Sequence, residues 1–254
     1  MKILLTGHKG FIGSNFLKYL NDYSFDTYEW GDEIPKISNY DWVFHIGAIS
    51  STTETDVEKV MRQNYDFTCW LIDECIRHDV NLQYSSSASV YGLKTEFTES
   101  SPVDPRTPYA WSKYMTEKYC ENRKHRNIIQ GFRYFNVYGP GEEHKGGQAS
   151  PYCQFERQAK ENGVVKVFEG SENFKRDFIQ VNEVIETHLR FLRVRESGVW
   201  NVGTGKTTSF LDVAKSFGVT IETIPMPENL KHSYQKYTCA DLTKLDTTLE
   251  KYNA

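Results

Sequence analysis

The chain opens on Lys2-Ile3-Leu4-Leu5-Thr6-Gly7-His8-Lys9-Gly10-Phe11-Ile12-Gly13-Ser14-Asn15, and no other stretch limits its fold as strongly. A short apolar run reads as a buried strand. Three glycines at spacing three then turn the chain sharply, and Phe16, Leu17 and Leu20 follow at helical spacing. One glycine permits the tight turn, one lets backbone N–H groups approach a pyrophosphate, and one lets helix and strand pack closely. The start of the helix offers unpaired N–H groups and partial positive charge to an anion. A plain βα turn could also use such glycines. Their place between strand and helix favours a dinucleotide site built from Gly7, Gly10, Phe11, Ile12 and Gly13.

A second constellation sets the chemistry. Asn81 to Ser85 reads as a strand running into Ser86-Ser87-Ala88-Ser89-Val90-Tyr91-Gly92, and Pro108-Tyr109-Ala110-Trp111-Ser112-Lys113 opens a helix. Tyr109 and Lys113 are four residues apart, so one helical turn stacks them on the same face. A free tyrosine with a pKa near ~10 is a poor base at neutral pH, and lowering it by ~3 units takes about 4 kcal/mol. A lysine one turn away and a positively charged nicotinamide can supply that in a desolvated cleft. Ser87, at the preceding strand end, can share the proton.

Strand-like runs alternate with helical periodicity, the pattern of a parallel sheet with crossover helices. Strands are expected at 27–30, 41–46, 128–134 and 199–202. A helix is expected over 56–77, with Val57, Val60, Asn64, Phe67, Leu71 and Cys75 on one face. The fold class is therefore α/β, a Rossmann-type doubly wound sheet with a small substrate lobe. The Rossmann part is expected at 1–136 with 174–205, and the lobe at 137–173 with 206–254. Net charge is −4 without a basic cluster, which argues against nucleic acid as a partner. No apolar run approaches the ~18 residues of a membrane span. Cys69, Cys75, Cys120, Cys153 and Cys239 are odd in number and lack metal-ligand spacing, so they read as reduced thiols of a cytoplasmic protein without a bound metal. Gly203-Thr204-Gly205-Lys206-Thr207 is not a phosphate loop, because Trp200 stands where that loop needs its first glycine.

These motifs resemble the extended short-chain dehydrogenase/reductases that act on nucleotide sugars, the NAD-dependent epimerase/dehydratase family. The likeness covers nearly the whole chain. Within the family, Gly47-Ala48-Ile49-Ser50-Ser51-Thr52-Thr53-Glu54, the run Gly131 to Pro140, His144-Lys145-Gly146, the run Phe168 to Phe178 and Ala240-Asp241-Leu242-Thr243 are most similar to the ADP-L-glycero-D-manno-heptose 6-epimerases. The resemblance implies a tightly bound NAD or NADP and a nucleotide-diphosphate sugar as substrate. It leaves a homo-oligomer open. It places Gly47, Ala48, Ser50, Asn64 and Val137, with Tyr109 and Lys113, at the cofactor. It places Ser87, Asn136, Phe168, Arg176 and Tyr234 at the substrate. Ser87, Tyr109 and Lys113 become the catalytic set, with Lys145 as a second base.

Two segments depart from the family. Only about twenty residues separate the first helix from the strand at Asp41, where the family fits two strands and a loop. Asp32 lies nineteen residues after Gly13, where an acid meets the ribose hydroxyls, and Glu29 competes for that role. An acid there disfavours a 2′-phosphate and leans toward NAD. The carboxyl end is also abbreviated, so a terminal helix of the family is expected to be missing. Ala88 and Ser89 stand where nucleotide-sugar 4,6-dehydratases carry an acid pair, which makes elimination of water a poor fit. The expected activity is epimerisation through transient oxidation, as in a heptose 6-epimerase. A 4-epimerase, a reductase using external NADPH and a non-catalytic dinucleotide sensor stay open as alternatives.

Overall fold

The computed structural model describes residues 1–228 and 234–254. Its first half alternates strand and helix. β1 (Lys2–Thr6) leads into α1 (Phe11–Phe16), and β2 (Ser24–Tyr28) is followed by β3 (Trp42–His45). Next come α2 (Val57–Val60), a π-helical turn over Met61–Asp66, α3 (Phe67–His78), β4 (Asn81–Ser87), α4 (Pro108–Glu121) and β5 (Ile129–Tyr134). The second half holds β6 (Asn136–Tyr138), α5 (Pro151–Asn162), β7 (Val164–Phe168), β8 (Lys175–Arg176), β9 (Phe178–Gln180), α6 (Val181–Phe191) and β10 (Gly198–Val202). β11 (Thr208–Ser209), α7 (Phe210–Lys215), β12 (Thr220–Ile224) and α8 (Thr243–Tyr252) complete it.

Six of these strands form one parallel sheet in the order β10-β5-β4-β3-β1-β2. Every residue of β3 and β5 is buried, as strands covered on both faces must be. On one face Leu71, Ile72 and Cys75 of α3 pack on Leu82, Tyr84 and Ile129. On the other, Phe16 and Ile185 pack on Ile3, Leu5 and Phe44. The chain leaves β1 outward to β2 and returns to β3 on the other side. That reversal opens a crevice at the carboxyl ends of the strands, where α/β sheets take their ligands.

The lobe is built from short pairings: β6 with β9, β7 with β12 and β8 with β11. Phe155, Val165, Val167, Phe178 and Val213 form its own apolar cluster. Leu245 and Leu249 of α8 instead pack with Phe132 and Trp200 on the main sheet, so this helix does not share the core of the lobe with which sequence grouped it.

Three expected elements differ. The first helix ends at Phe16, and tighter turns (Tyr19 N–H to Phe16 C=O, 2.9 Å) carry Leu20 into the core. The second strand occupies 24–28 and not 27–30, because chain direction is set by pairing of Leu4 with Asp26 rather than by local alternation. The helix expected over 56–77 is interrupted by its π turn. The extra residue rotates the preceding turn off the apolar face and leaves Val57 54% exposed. Among the described residues no helix is long and apolar enough to cross a membrane, and no group of His, Cys, Asp and Glu could hold a metal ion. All five cysteines are free.

Candidate active site

The glycine turn after β1 divides its work between close packing and open space. Gly7 has φ +78°, and a Cβ there would lie 2.6 Å from the Gly47 nitrogen. A Cβ on Gly13 would strike the Gly7 carbonyl oxygen at 2.1 Å. Neither position admits another residue. Gly10 has only that same oxygen nearby, at 3.4 Å, so its far side is open. No side chain caps α1, whose first residues are Phe11 and Ile12. This cradle, with uncapped N–H groups beside an open glycine, fits a pyrophosphate.

The flanking acids are not equivalent. Glu29, the first residue after β2, accepts from the Lys9 N–H of the glycine turn at 3.0 Å. Asp32 instead caps the Glu29 N–H at 3.0 Å and closes the turn that contains it. Glu29 and not Asp32 stands against the glycine turn.

After β3 the chain runs through Gly47-Ala48-Ile49-Ser50, with a cis peptide between Gly47 and Ala48. Ser85 donates to the Gly47 carbonyl at 2.9 Å. Asn64 grips Ile49 from both sides, accepting its N–H and donating to its C=O, each at 2.9 Å, and also donates to Ser112 at 3.2 Å. Buried within the π turn, Asn64 therefore shapes the backbone of this strap. Ala48 and Ser50 are exposed along it.

Ser87 ends β4. Tyr109 is the second residue of α4, whose start is fixed by Pro108 and by Thr107, which accepts from the Ala110 N–H at 3.1 Å. Burial pushes the Tyr109 phenol up from its ordinary pKa, and a hydrogen bond donated by Ser87 opposes that rise. Lys113 is buried with its amine 5.8 Å from the centre of the Tyr109 ring, and it donates to the Ser85 carbonyl at 2.9 Å. Burial pulls its pKa down to about 8, against the pull of Glu117. In the protein alone desolvation dominates at the phenol; the expected depression calls for the nicotinamide charge as well as the lysine. The spacing of Tyr109 and Lys113 continues to Glu117, a residue the sequence reading did not use. Glu117 takes the Arg133 guanidinium in two bonds of 2.9 and 2.6 Å and also accepts from Ser86. This buried pair locks α4 to the ends of β4 and β5.

The remaining candidates lie beyond β5. Asn136 donates its N–H to the Asp177 carbonyl at 3.0 Å and accepts from Thr238 at 3.3 Å. Val137 packs between two clusters of the main core. Lys145 lies in a tight helical segment over Glu143–Gln148, with its amine 5.3 Å from the Phe11 ring centre. Burial pulls its pKa down, with Glu142 opposing. Phe168 and Tyr234 line a cavity of about 480 Å³ with Phe174 and Phe210. Arg176 holds its guanidinium 5.5 Å from the Phe210 ring and 5.4 Å from that of Tyr234. Burial lowers its pKa to about 10. The structure thus sets Arg176 against two of the aromatic rings that line this cavity with Phe168, and sets Lys145 against Phe11 beside the glycine turn.

In the Gly203-Thr204-Gly205 turn the Thr204 and Gly205 N–H groups are occupied. The buried Asp177 carboxylate accepts from Thr204 and Gly205 at 2.8 and 2.9 Å, and from Ala240 at 2.9 Å. A carboxylate of the protein itself fills the place a phosphate would take, and the chain continues into α7.

The NAD dependent epimerase/dehydratase family matches residues 25–203. The ADP-L-glycero-D-manno-heptose-6-epimerase of Helicobacter pylori superposes with a TM-score of 0.85 at 26% identity, over 99% of this chain and 90% of that one. A UDP-N-acetylglucosamine 4-epimerase from Methanobrevibacter ruminantium gives 0.86 at 21% identity, over 98% and 91% of the two chains. The UDP-glucose 4-epimerase of Thermotoga maritima gives 0.84 at 23%, over 98% and 93%.

Proposed function

The chain belongs to the NAD-dependent epimerase/dehydratase family, and from that premise we propose that it inverts one carbinol centre of a nucleotide-diphosphate sugar by transient oxidation and re-reduction. The observation that carries the reading is the Ser87–Tyr109–Lys113 set, assembled at the carboxyl end of the sheet in the strand order that also presents the glycine turn. A nicotinamide held by these residues would supply a reversible hydride acceptor. Tyr109, as phenolate, takes the proton of the reacting hydroxyl, and Ser87 hydrogen-bonds the same oxygen. Lys113 holds the ribose and favours the phenolate once the cleft is filled. Ala88 and Ser89 supply no carboxylate for elimination of water.

A centre outside the sugar ring can present either face, and Lys145 is the second acid–base group for the opposite face. Its depressed pKa suits that role. The aromatic pocket with Arg176 takes the nucleotide and its diphosphate, since a guanidinium binds phosphate in two parallel bonds. The likeness to a heptose 6-epimerase supports an ADP-heptose-like substrate. Glu29, bonded to the glycine turn, would receive ribose hydroxyls and repel a 2′-phosphate, which favours NAD over NADP.

The test is stoichiometry. The purified protein, incubated with ADP-heptose deuterated at the exocyclic carbon and without added NAD(P)H, should interconvert the epimers and keep the deuterium. Mass spectrometry of released ligand should find NAD. Net consumption of NADPH would identify a reductase, and a bound dinucleotide without turnover on any nucleotide sugar would identify a sensor.

A further inference from the structure

The segment between β2 and β3 contains no strand, only a short turn of 3-10 helix at Ile37–Asn39, yet it exposes a large aromatic residue beside the glycine turn. Trp30 is 41% exposed. It occupies the corner of a turn closed by Asp32 N–H to Glu29 C=O at 3.0 Å, and Gly31 beyond it has φ +99° with no neighbour within 4 Å of a virtual Cβ. The Glu29 carboxylate bridges Trp30 to the glycine turn, accepting from the Trp30 N–H at 3.3 Å and the Lys9 N–H at 3.0 Å. The indole meets Phe67 edge to face (5.4 Å, 82°), and Phe67 in turn stacks on Tyr28 and Trp70 at 5.6 Å each. A perpendicular contact of this kind uses at most one indole face.

Strand order decides what the other face can meet. Ser87 and Tyr109 mark the reacting end of the site at β4, two strands from β1 on one side, and β2 is the neighbour of β1 on the other. Strands lie ~4.8 Å apart, so the step from β4 to β1 spans about 10 Å. A dinucleotide with its pyrophosphate at the glycine turn and its nicotinamide toward Tyr109 must send its adenosine half over the end of β2. We infer that Trp30 is the platform on which the adenine ring stacks. It replaces with one side chain the cover that a longer segment would give. The inference rests on the dinucleotide reading above. Purine–indole stacking needs only a free face and a fixed ring; the Glu29 bridge holds the Trp30 backbone and Phe67 holds the ring.

Full-length protein stripped of bound dinucleotide is titrated with NAD, ADP-ribose and nicotinamide mononucleotide by calorimetry and by tryptophan fluorescence. Trp30→Ala should weaken NAD and ADP-ribose about tenfold, within the range for loss of one base–aromatic stack, and leave nicotinamide mononucleotide unchanged. Trp30→Phe should keep most of the affinity while reducing the ligand-induced quenching expected of the wild type. Unchanged ADP-ribose affinity in Trp30→Ala overturns the inference. So does equal loss for all three ligands. A wild-type protein that binds no dinucleotide overturns the underlying reading instead.

Discussion

The sheet side and the lobe side of the site hold their reactive groups in different ways. Ser87, Tyr109 and Lys113 stand on β4 and α4, and the buried Glu117–Arg133 pair behind them ties helix to sheet. Lys145 stands on a six-residue segment kinked at Gly146, and among the described residues its amine has no hydrogen-bond partner, only the Phe11 ring. Rigid elements suit a group that must meet a reacting oxygen within a few tenths of an ångström. A loop suits a group that must accommodate a turned substrate. On the proposed mechanism, proton transfer at one face of the reacting carbon falls to the sheet, and at the opposite face to the lobe.

The largest effect should come from the sheet side. Tyr109→Phe removes the phenolic oxygen and keeps the ring, so turnover should fall at least ~10²-fold, the lower end for loss of a general acid–base. Dinucleotide binding, measured separately, should stay close to wild type. Near-normal turnover would take Tyr109 out of the mechanism and break the division between the two sides.

Lys145→Met should have a smaller and asymmetric effect. Epimerisation should fall about tenfold or more, while oxidation of one epimer proceeds. A substrate analogue with an aldehyde at the reacting carbon makes this visible, because it disproportionates within one site and each face can be followed by its own product. Tyr109→Phe should show the complementary facial loss. If Lys145→Met leaves epimerisation unchanged, a single base with a rotating substrate is the better account, and the lobe contributes binding alone.

The same contrast governs what could be read from the chain. The β1 turn, β4, α4 and β5 were legible because local signals agree: glycines at spacing three, Pro108 after a capping Thr107, and a Tyr109–Lys113 repeat. The lobe was not, because strands of two to five residues such as β8 and β11 owe their existence to partners far along the chain. The π turn at Met61–Asp66 carries no local mark either, so the expected face of that helix wrongly included Val57. Glu117 could have been found by extending the four-residue repeat one turn further. Its partner Arg133 could not, since only the pairing of β4 with β5 brings Ser86 and Arg133 together. Glu29 was distinguishable from Asp32 only once β2 was known to end at Tyr28.

A stability measurement tests whether the rigidity of the sheet side is also its weakness. His45 bonds to Thr6 and Thr68 at 2.6 and 2.9 Å, and His188 to Tyr134 and Gln83 at 2.6 and 2.8 Å. Both lie within the sheet half, and among the described residues the lobe buries no histidine. Burial pulls each pKa down to about 3, whereas the unfolded chain takes up the proton near ~6.5. Between those values the unfolded state binds more protons, so stability is complete above about pH 6.5 and drains away as the pH falls toward 3. From pH 6.5 to 5.0 each histidine should remove about 1.5 kcal/mol. Urea unfolding at the two pH values measures the sum, and His188→Gln, which keeps a side chain able to bond both neighbours, should remove about half of the pH dependence. Equal stability at both pH values would mean that water reaches these rings in the folded protein. The sheet side would then be held by its apolar packing, not by the dryness of its polar interior.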